Sequence, residues 1–140
     1  MAEDQLLAEM QALRDRVTGI TGSAVASRDG LIIKADTADV NPDNLAALAA
    51  ASLGVTQRMA SEVGQGMLRE TVTRSSGGYV AIYAVGSTAV LLLTGDAGLD
   101  VTRLHRESRA AVEKLELLLS QTQATPDPRF PQGVFRHSSR

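Results

Sequence analysis

Cysteine is absent from the chain, which removes disulfides, thiolate metal sites and thiol catalysis together. Its absence also fits a reducing compartment. Tryptophan is missing too, and with only two tyrosines and two phenylalanines the core has to be built from Ala, Val, Leu, Ile and Met. No basic excess exists: the formal net charge of −2 argues against general nucleic-acid binding, which needs a face that neutralises phosphates. Long apolar runs are lacking as well. The only long uncharged stretch, Ser75 to Gly95, is broken by Gly77-Gly78 and Gly86-Ser87-Thr88 into strand-length pieces. A membrane helix needs about 20 continuous apolar residues. The N-terminus, MAEDQLLAEM, carries acids where a signal peptide carries a basic segment. These absences point to the cytoplasm, with no direct membrane insertion and at most a peripheral membrane location through partners.

What is present is the composition of an ordinary globular domain, 44% hydrophobic and 21% charged over 140 residues. A chain of this size buries roughly two-thirds of its unfolded surface and needs no staple to fold. Hydrophobic periodicity gives the order of elements. Leu6, Leu7, Met10, Leu13 and Val17 lie on one face of a helix over 3–18, stopped by Thr18-Gly19. Ser23 to Ser27 and Leu31 to Asp36 flank Arg28-Asp29-Gly30, a hairpin turn in which Asp and Gly tolerate positive φ. Alternation along the second strand places Leu31, Ile33 and Ala35 on one side and Ile32 and Lys34 on the other. Asn41-Pro42-Asp43 starts a helix running to Val63 or Gly64. A polar strand at 67–74 and apolar strands from Tyr79 to Val85 and Thr88 to Thr94 then form a meander. Asp100 caps a last helix whose inner side carries Val101, Leu104, Ser108, Ala111, Val112, Leu115 and Leu118/Leu119. The domain is expected to span 1–121. The segment 122–140 holds three of the four prolines and both phenylalanines, and is expected to be a disordered Pro- and Arg-containing tail.

The second helix is the most informative stretch. No charged residue occurs from Asn44 to Gln57. At about 100° per residue, Leu45, Leu48, Ala49, Ser52, Thr56, Met59 and Val63 form a stripe expected to face the sheet. The opposite face collects Ala47, Ala50, Ala51, Gly54, Arg58 and Ser61, small and neutral where a solvent face normally carries Lys, Glu and Arg. Gly54 in mid-helix costs up to about 1 kcal/mol relative to Ala. One reading is that another protein surface covers this face; the other is that Ala is merely a good helix former. The polar strand, with Leu68, Arg69, Glu70, Thr71, Val72 and Thr73, reads as a sheet edge, which either pairs with another chain or is protected by its charges.

Catalytic machinery is not discernible. His105 and His137 have no ligand or acid partner nearby in sequence, and His105 reads as a surface residue. No hydrolase, zincin, Walker or dinucleotide motif occurs. Gly64-Gln65-Gly66 reads as a helix C-cap and turn. Thr94-Gly95-Asp96-Ala97-Gly98 leads into a helix and could cradle an anion, but Asp96 and Asp100 would repel one. The expectation is therefore no catalytic residue, no metal, no cofactor and no enzyme activity.

Taken together, the element order, Asp29-Gly30 followed by Leu31-Ile32-Ile33, the small-residue second helix, the Gly78-Tyr79 to Leu93 hairpin and the Gly98-Leu99 step into the last helix resemble the Roadblock (dynein light-chain type) domain family over residues 3–121. The resemblance implies an α+β fold with profilin-like layering. A five-stranded antiparallel sheet in the order 2-1-5-4-3 would carry the first and last helices on one face and the middle helix on the other. It also implies homodimers in which third strands pair edge to edge and middle helices pack together, mapping to 67–74 and to the Ala47–Ser61 face. Bacterial members act with small Ras-like GTPases, stimulating hydrolysis or serving as scaffolds, and some actinobacterial members sit beside a sensor kinase. The implied function is a non-catalytic regulator or scaffold for such a GTPase. An assembly adaptor without GTPase contact and a small-ligand sensor stand as the alternatives.

Overall fold

The structure is a computed structural model that describes residues 2–123. Its elements are α1 (Ala2–Arg16), β1 (Ile20–Ser27), β2 (Ile32–Asp36), α2 (Pro42–Glu62), β3 (Glu70–Ser75), β4 (Gly78–Val85), β5 (Ala89–Asp96) and α3 (Val101–Gln123). The strands form one antiparallel sheet in the order β2-β1-β5-β4-β3, as the resemblance implies. The expectations for the Pro- and Arg-containing tail lie outside the described residues beyond Gln123.

Strand pleating sorts the core into two layers. Val25, Leu91, Leu93, Ala81 and Tyr83 point to one face, where Leu6, Met10, Leu13 and Val17 of α1 and Leu104, Ala111, Leu115 and Leu119 of α3 close over them. Ala24, Ala26, Ile82, Val90 and Leu92 point to the other, against Ala46 and Ala49 of α2. The unbroken apolar run of β5 follows, since its successive side chains enter opposite cores. The α1–α3 layer is also tied by charge: Arg16 Nε lies 2.9 Å from Glu107 Oε1, and Arg103 Nε donates to the Arg16 carbonyl at 2.7 Å. No helix among the described residues is long and apolar enough to cross a membrane.

Local signals act as read. The Asn41 side chain accepts from the amides of Asp43 and Asn44, and Asp100 Oδ1 accepts from Arg103 N. In the first hairpin the Gly30 amide donates to the Ser27 carbonyl, and Gly30 takes φ +96°. Asp96 Oδ1 accepts from Gly98 N at 2.9 Å, so the loop before α3 consumes its own amide.

Two expectations are corrected. Alternation along β2 fails because Val25 pairs with Lys34 while Ala26 pairs with Ile32, leaving Ile33 as an extra residue in a β-bulge. Ile32 and Ala35 therefore share the face beneath α2 instead of opposing one another. The inner stripe of α2 is also rotated from its expected position. Ala46 and Ala49 are buried and Leu45 and Leu53 pack beside them, whereas Leu48, Met59 and Val63 are exposed. The reason lies in Gln57. Its Oε1 accepts from Leu68 N at 2.8 Å and its Nε2 donates to the Gly66 carbonyl at 3.0 Å, which holds this side of the helix toward the body of the domain.

The approach of β4 to β5 leaves no room at Gly78, where an added Cβ would fall 2.1 Å from the Gly95 carbonyl oxygen. Gly78→Ala is expected to cost about 2–4 kcal/mol in urea or thermal unfolding, because backbone and not a flexible side chain must move. A loss below about 0.5 kcal/mol would show that the strand ends are free to separate.

Candidate interaction surface

Helix α2 lies over the sheet with one face out. Of the residues expected there, Ala47, Ala51, Gly54, Arg58 and Ser61 are exposed, whereas Ala50 is half-buried at the margin. A Cβ on Gly30 would stand 3.4 Å from Ala50 Cβ and 3.3 Å from Ala47 Cα, so the first hairpin packs against this flank of the helix. The structure adds Leu48 and Met59, which the sequence reading turned inward and which are 69% and 63% exposed, and Val55, 63% exposed, which that reading assigned to neither face. Positions 48, 55 and 59 recur at the spacing of one helix face. That spacing was a usable signal, masked by assigning the larger apolar residues to the core. The outer face is therefore an apolar stripe bordered by alanines and Gly54, and exposed Val63 and Met67 extend it beyond the helix.

The stripe leads toward the edge of the sheet. Gln57 ties α2 to Leu68, the half-buried residue just before β3. Arg69 precedes the strand as well, and its carbonyl accepts from Ala84 N at 2.8 Å. The remaining residues of the expected edge, Glu70, Thr71, Val72 and Thr73, lie within β3, which among the described residues has β4 as its only strand neighbour. Antiparallel pairs alternate between hydrogen-bonded and non-bonded. The Arg69–Ala84 bond and the regular β3–β4 register give Thr71, Thr73 and Ser75 the bonds to β4. The N–H and C=O groups of Glu70, Val72 and Arg74 consequently point off the sheet. Val72 packs against the α1–α3 core, which puts Glu70, Val72 and Arg74 on that face and the threonines on the α2 face.

Behind β3 the fold assembles a polar cluster that sequence reading missed. His105 is not a partnerless surface residue: its Nδ1 lies 2.8 Å from Tyr83 Oη and 3.1 Å from Glu70 Oε2. Glu70 and Tyr83 pair across β3 and β4, and α3 drops His105 onto both. Nothing in the local sequence joins these three positions. A cleft of about 420 Å³ opens beside them, lined by Arg69, Glu70, Tyr83, Ala84, Arg109, Val112 and Glu113. Burial pushes the Tyr83 phenol up to about 12; the Ser108 hydroxyl and Arg109 oppose the rise and Glu70 adds to it. Such a phenol stays protonated at neutral pH, the reverse of the tuning a general acid or base needs. The cluster anchors the edge strand to α3.

Tyr83 makes stability fall with rising alkalinity. Its folded pKa stands above the ordinary 10.0, so the folded state keeps a proton that the unfolded state releases. The contribution is complete below pH 10 and is lost toward pH 12, by on the order of 2 kcal/mol. Unfolding free energies measured across that window are expected to decline, and Tyr83→Phe to remove this part of the decline. An identical slope in the variant would show that another group is responsible.

The profile of the Roadblock/LC7 domain family matches residues 6–94. The protein MJ1340 of Methanocaldococcus jannaschii is 28% identical over 116 residues, covering 82% of this chain and 97% of that protein. The gliding protein MglB of Thermus thermophilus superposes with a TM-score of 0.80 at 17% identity, covering 86% of this chain and 93% of MglB. A Roadblock/LC7 domain from Streptomyces avermitilis gives 0.75 at 23% identity, covering 81% and 96%. The structural likenesses establish the fold. With its strand order, helix layering and the match across most of the sheet, this chain belongs to the Roadblock/LC7 domain family.

Proposed function

We propose that the protein is a homodimeric, non-catalytic regulator or scaffold that binds a small Ras-like GTPase in a bacterial signalling complex, in the cytoplasm and beside a sensor kinase. The observation that carries the reading is the exposed surface formed by the outer face of α2 together with the edge strand β3. Leu48, Val55 and Met59 present apolar area among Ala47, Ala51 and Gly54, and Arg58 supplies the only positive charge on the face. An apolar exposed patch of this kind marks a protein interface more often than bare solvent surface. Family membership supports the same direction, because bacterial Roadblock domains resembling this sequence act with such GTPases by remodelling or scaffolding. No catalytic arginine is assigned to Arg58, Arg69 or Arg74. An assembly adaptor would use the same surface without a GTPase.

The test begins with copurification from the native cell and a GTP hydrolysis assay on any small GTPase recovered. Ala51→Arg is the variant of choice, since Ala51 is fully outward whereas Ala50 touches the Gly30 hairpin. Its thermal midpoint is expected to stay within about 2 °C of the parent, as for surface substitutions generally. Self-association and GTPase capture are expected to weaken at least about tenfold, the equivalent of roughly 1.4 kcal/mol. Unchanged molecular mass and capture would overturn the reading. Capture of a kinase or polymer protein with no GTPase would favour the adaptor.

A further inference from the structure

We infer that β3 accepts a second copy of this chain in one register, antiparallel about a twofold axis at Val72, with Glu70 of each subunit facing Arg74 of the other. The inference rests on the reading of β3 as a self-association edge and specifies how that edge chooses its mate.

The backbone narrows the options first. Glu70, Val72 and Arg74 aim their N–H and C=O groups off the sheet, so a new antiparallel strand must place its own outward-aimed residues opposite these. For two copies related by a twofold axis, that leaves axes at Thr71, Val72 or Thr73 as the arrangements that overlap most of the strand.

Side chains then separate the three. With the axis at Val72, valine meets valine, Glu70 meets the partner's Arg74 on both sides, and on the α2 face Thr71 meets the partner's Thr73. Each is a favourable class of cross-strand pair, with directly opposed Cβ atoms about 5 Å apart. An axis at Thr73 would set Val72 against the partner's Arg74 and Glu70 against the partner's Ser76. An axis at Thr71 would set Glu70 against the partner's Val72 and Arg74 against the partner's Leu68. Both strand the charges on neutral neighbours.

The charges cannot satisfy each other within one chain. Glu70 and Arg74 stand four residues apart on a strand, roughly 13 Å at 3.3 Å per residue. Among the described residues Arg74 has no carboxylate within ion-pair distance, and its cross-strand neighbour is Tyr79. Glu70 is held in place by His105 at 3.1 Å, with Tyr83 behind, so its carboxylate is already positioned over the face where the partner's Arg74 would arrive. Charges of one sign along this edge would repel a twofold mate, because like charges directly opposite are destabilising. This edge carries one of each sign, placed symmetrically about Val72.

Charge reversal tests the register. Glu70→Arg and Arg74→Glu each make both cross-strand pairs repulsive, and each is expected to weaken self-association at least about tenfold in sedimentation velocity. An equimolar mixture of the two single variants is expected to form a heterodimer, since every facing pair in it has opposite signs. The double variant Glu70→Arg/Arg74→Glu is expected to recover the homodimer. Circular dichroism confirms that each variant is folded, and Arg74→Glu leaves the His105 contact untouched. If the single variants self-associate as the parent does, or if mixing them restores nothing, the register is wrong while self-association stands. A parent chain that is monomeric at about 100 μM would overturn the self-association reading itself.

Discussion

The central strand β5 is apolar on both sides, and a strand of that kind cannot lie in a sheet with one face in water. Val90 and Leu92 enter one core while Leu91 and Leu93 enter the other. Burying a side chain of this size is worth about 1.5–3 kcal/mol relative to leaving it exposed, so neither face can be left bare. Helices on both sides are the solution the chain supplies, two on one face and one on the other. The position of every surface feature follows from that division. α1 and α3, linked by Arg16, Glu107 and Arg103, make a thick, charge-stitched layer. α2 stands alone opposite them.

Standing alone has a consequence for α2. It meets the sheet through Ala46 and Ala49, small residues laid on Ala24 and Ala26 of β1, with Leu45 and Leu53 at the flanks. Contact through alanines brings the helix close to the sheet and uses few of its larger apolar groups. Leu48, Val55 and Met59 are left on the outside, where no neighbouring helix covers them. Beside this apolar contact, Gln57 ties the helix to the following segment through its bonds to Gly66 and Leu68, while the Asn41 cap closes the helix's own first turn. The Gln57 bonds also set the C-terminal part of α2 beside Gly66 to Leu68, the segment that leads into β3.

The edge strand is held from behind by chemistry of a different kind. Glu70, Tyr83 and His105 come from β3, β4 and α3, and their convergence fixes the edge against the last helix. The buried phenol belongs to this: ionising it is disfavoured, so it stays a neutral hydrogen-bonding partner of the imidazole through the neutral range. The cluster acts as a brace that keeps the outward-facing groups of β3 in a defined plane.

Sequence alone determined what depends on short-range signals and composition. The Asp29-Gly30 turn, the Asn41 and Asp100 caps, the buried stripe of α3 and the doubly apolar β5 were all legible, because each is set by residues within a few positions of one another. Together with the family resemblance they gave the element order and the sheet topology. Tertiary structure decided what depends on which neighbours arrive from elsewhere. Periodicity defines a face of α2 but not its rotation, which the alanines of β1 and the Gln57 contacts set. Alternation on β2 broke at Ile33 because a bulge is a property of the pair of strands. His105 looked solitary because its partners lie on β3 and β4, and only the packing of α3 against that end of the sheet brings the three within hydrogen-bond reach.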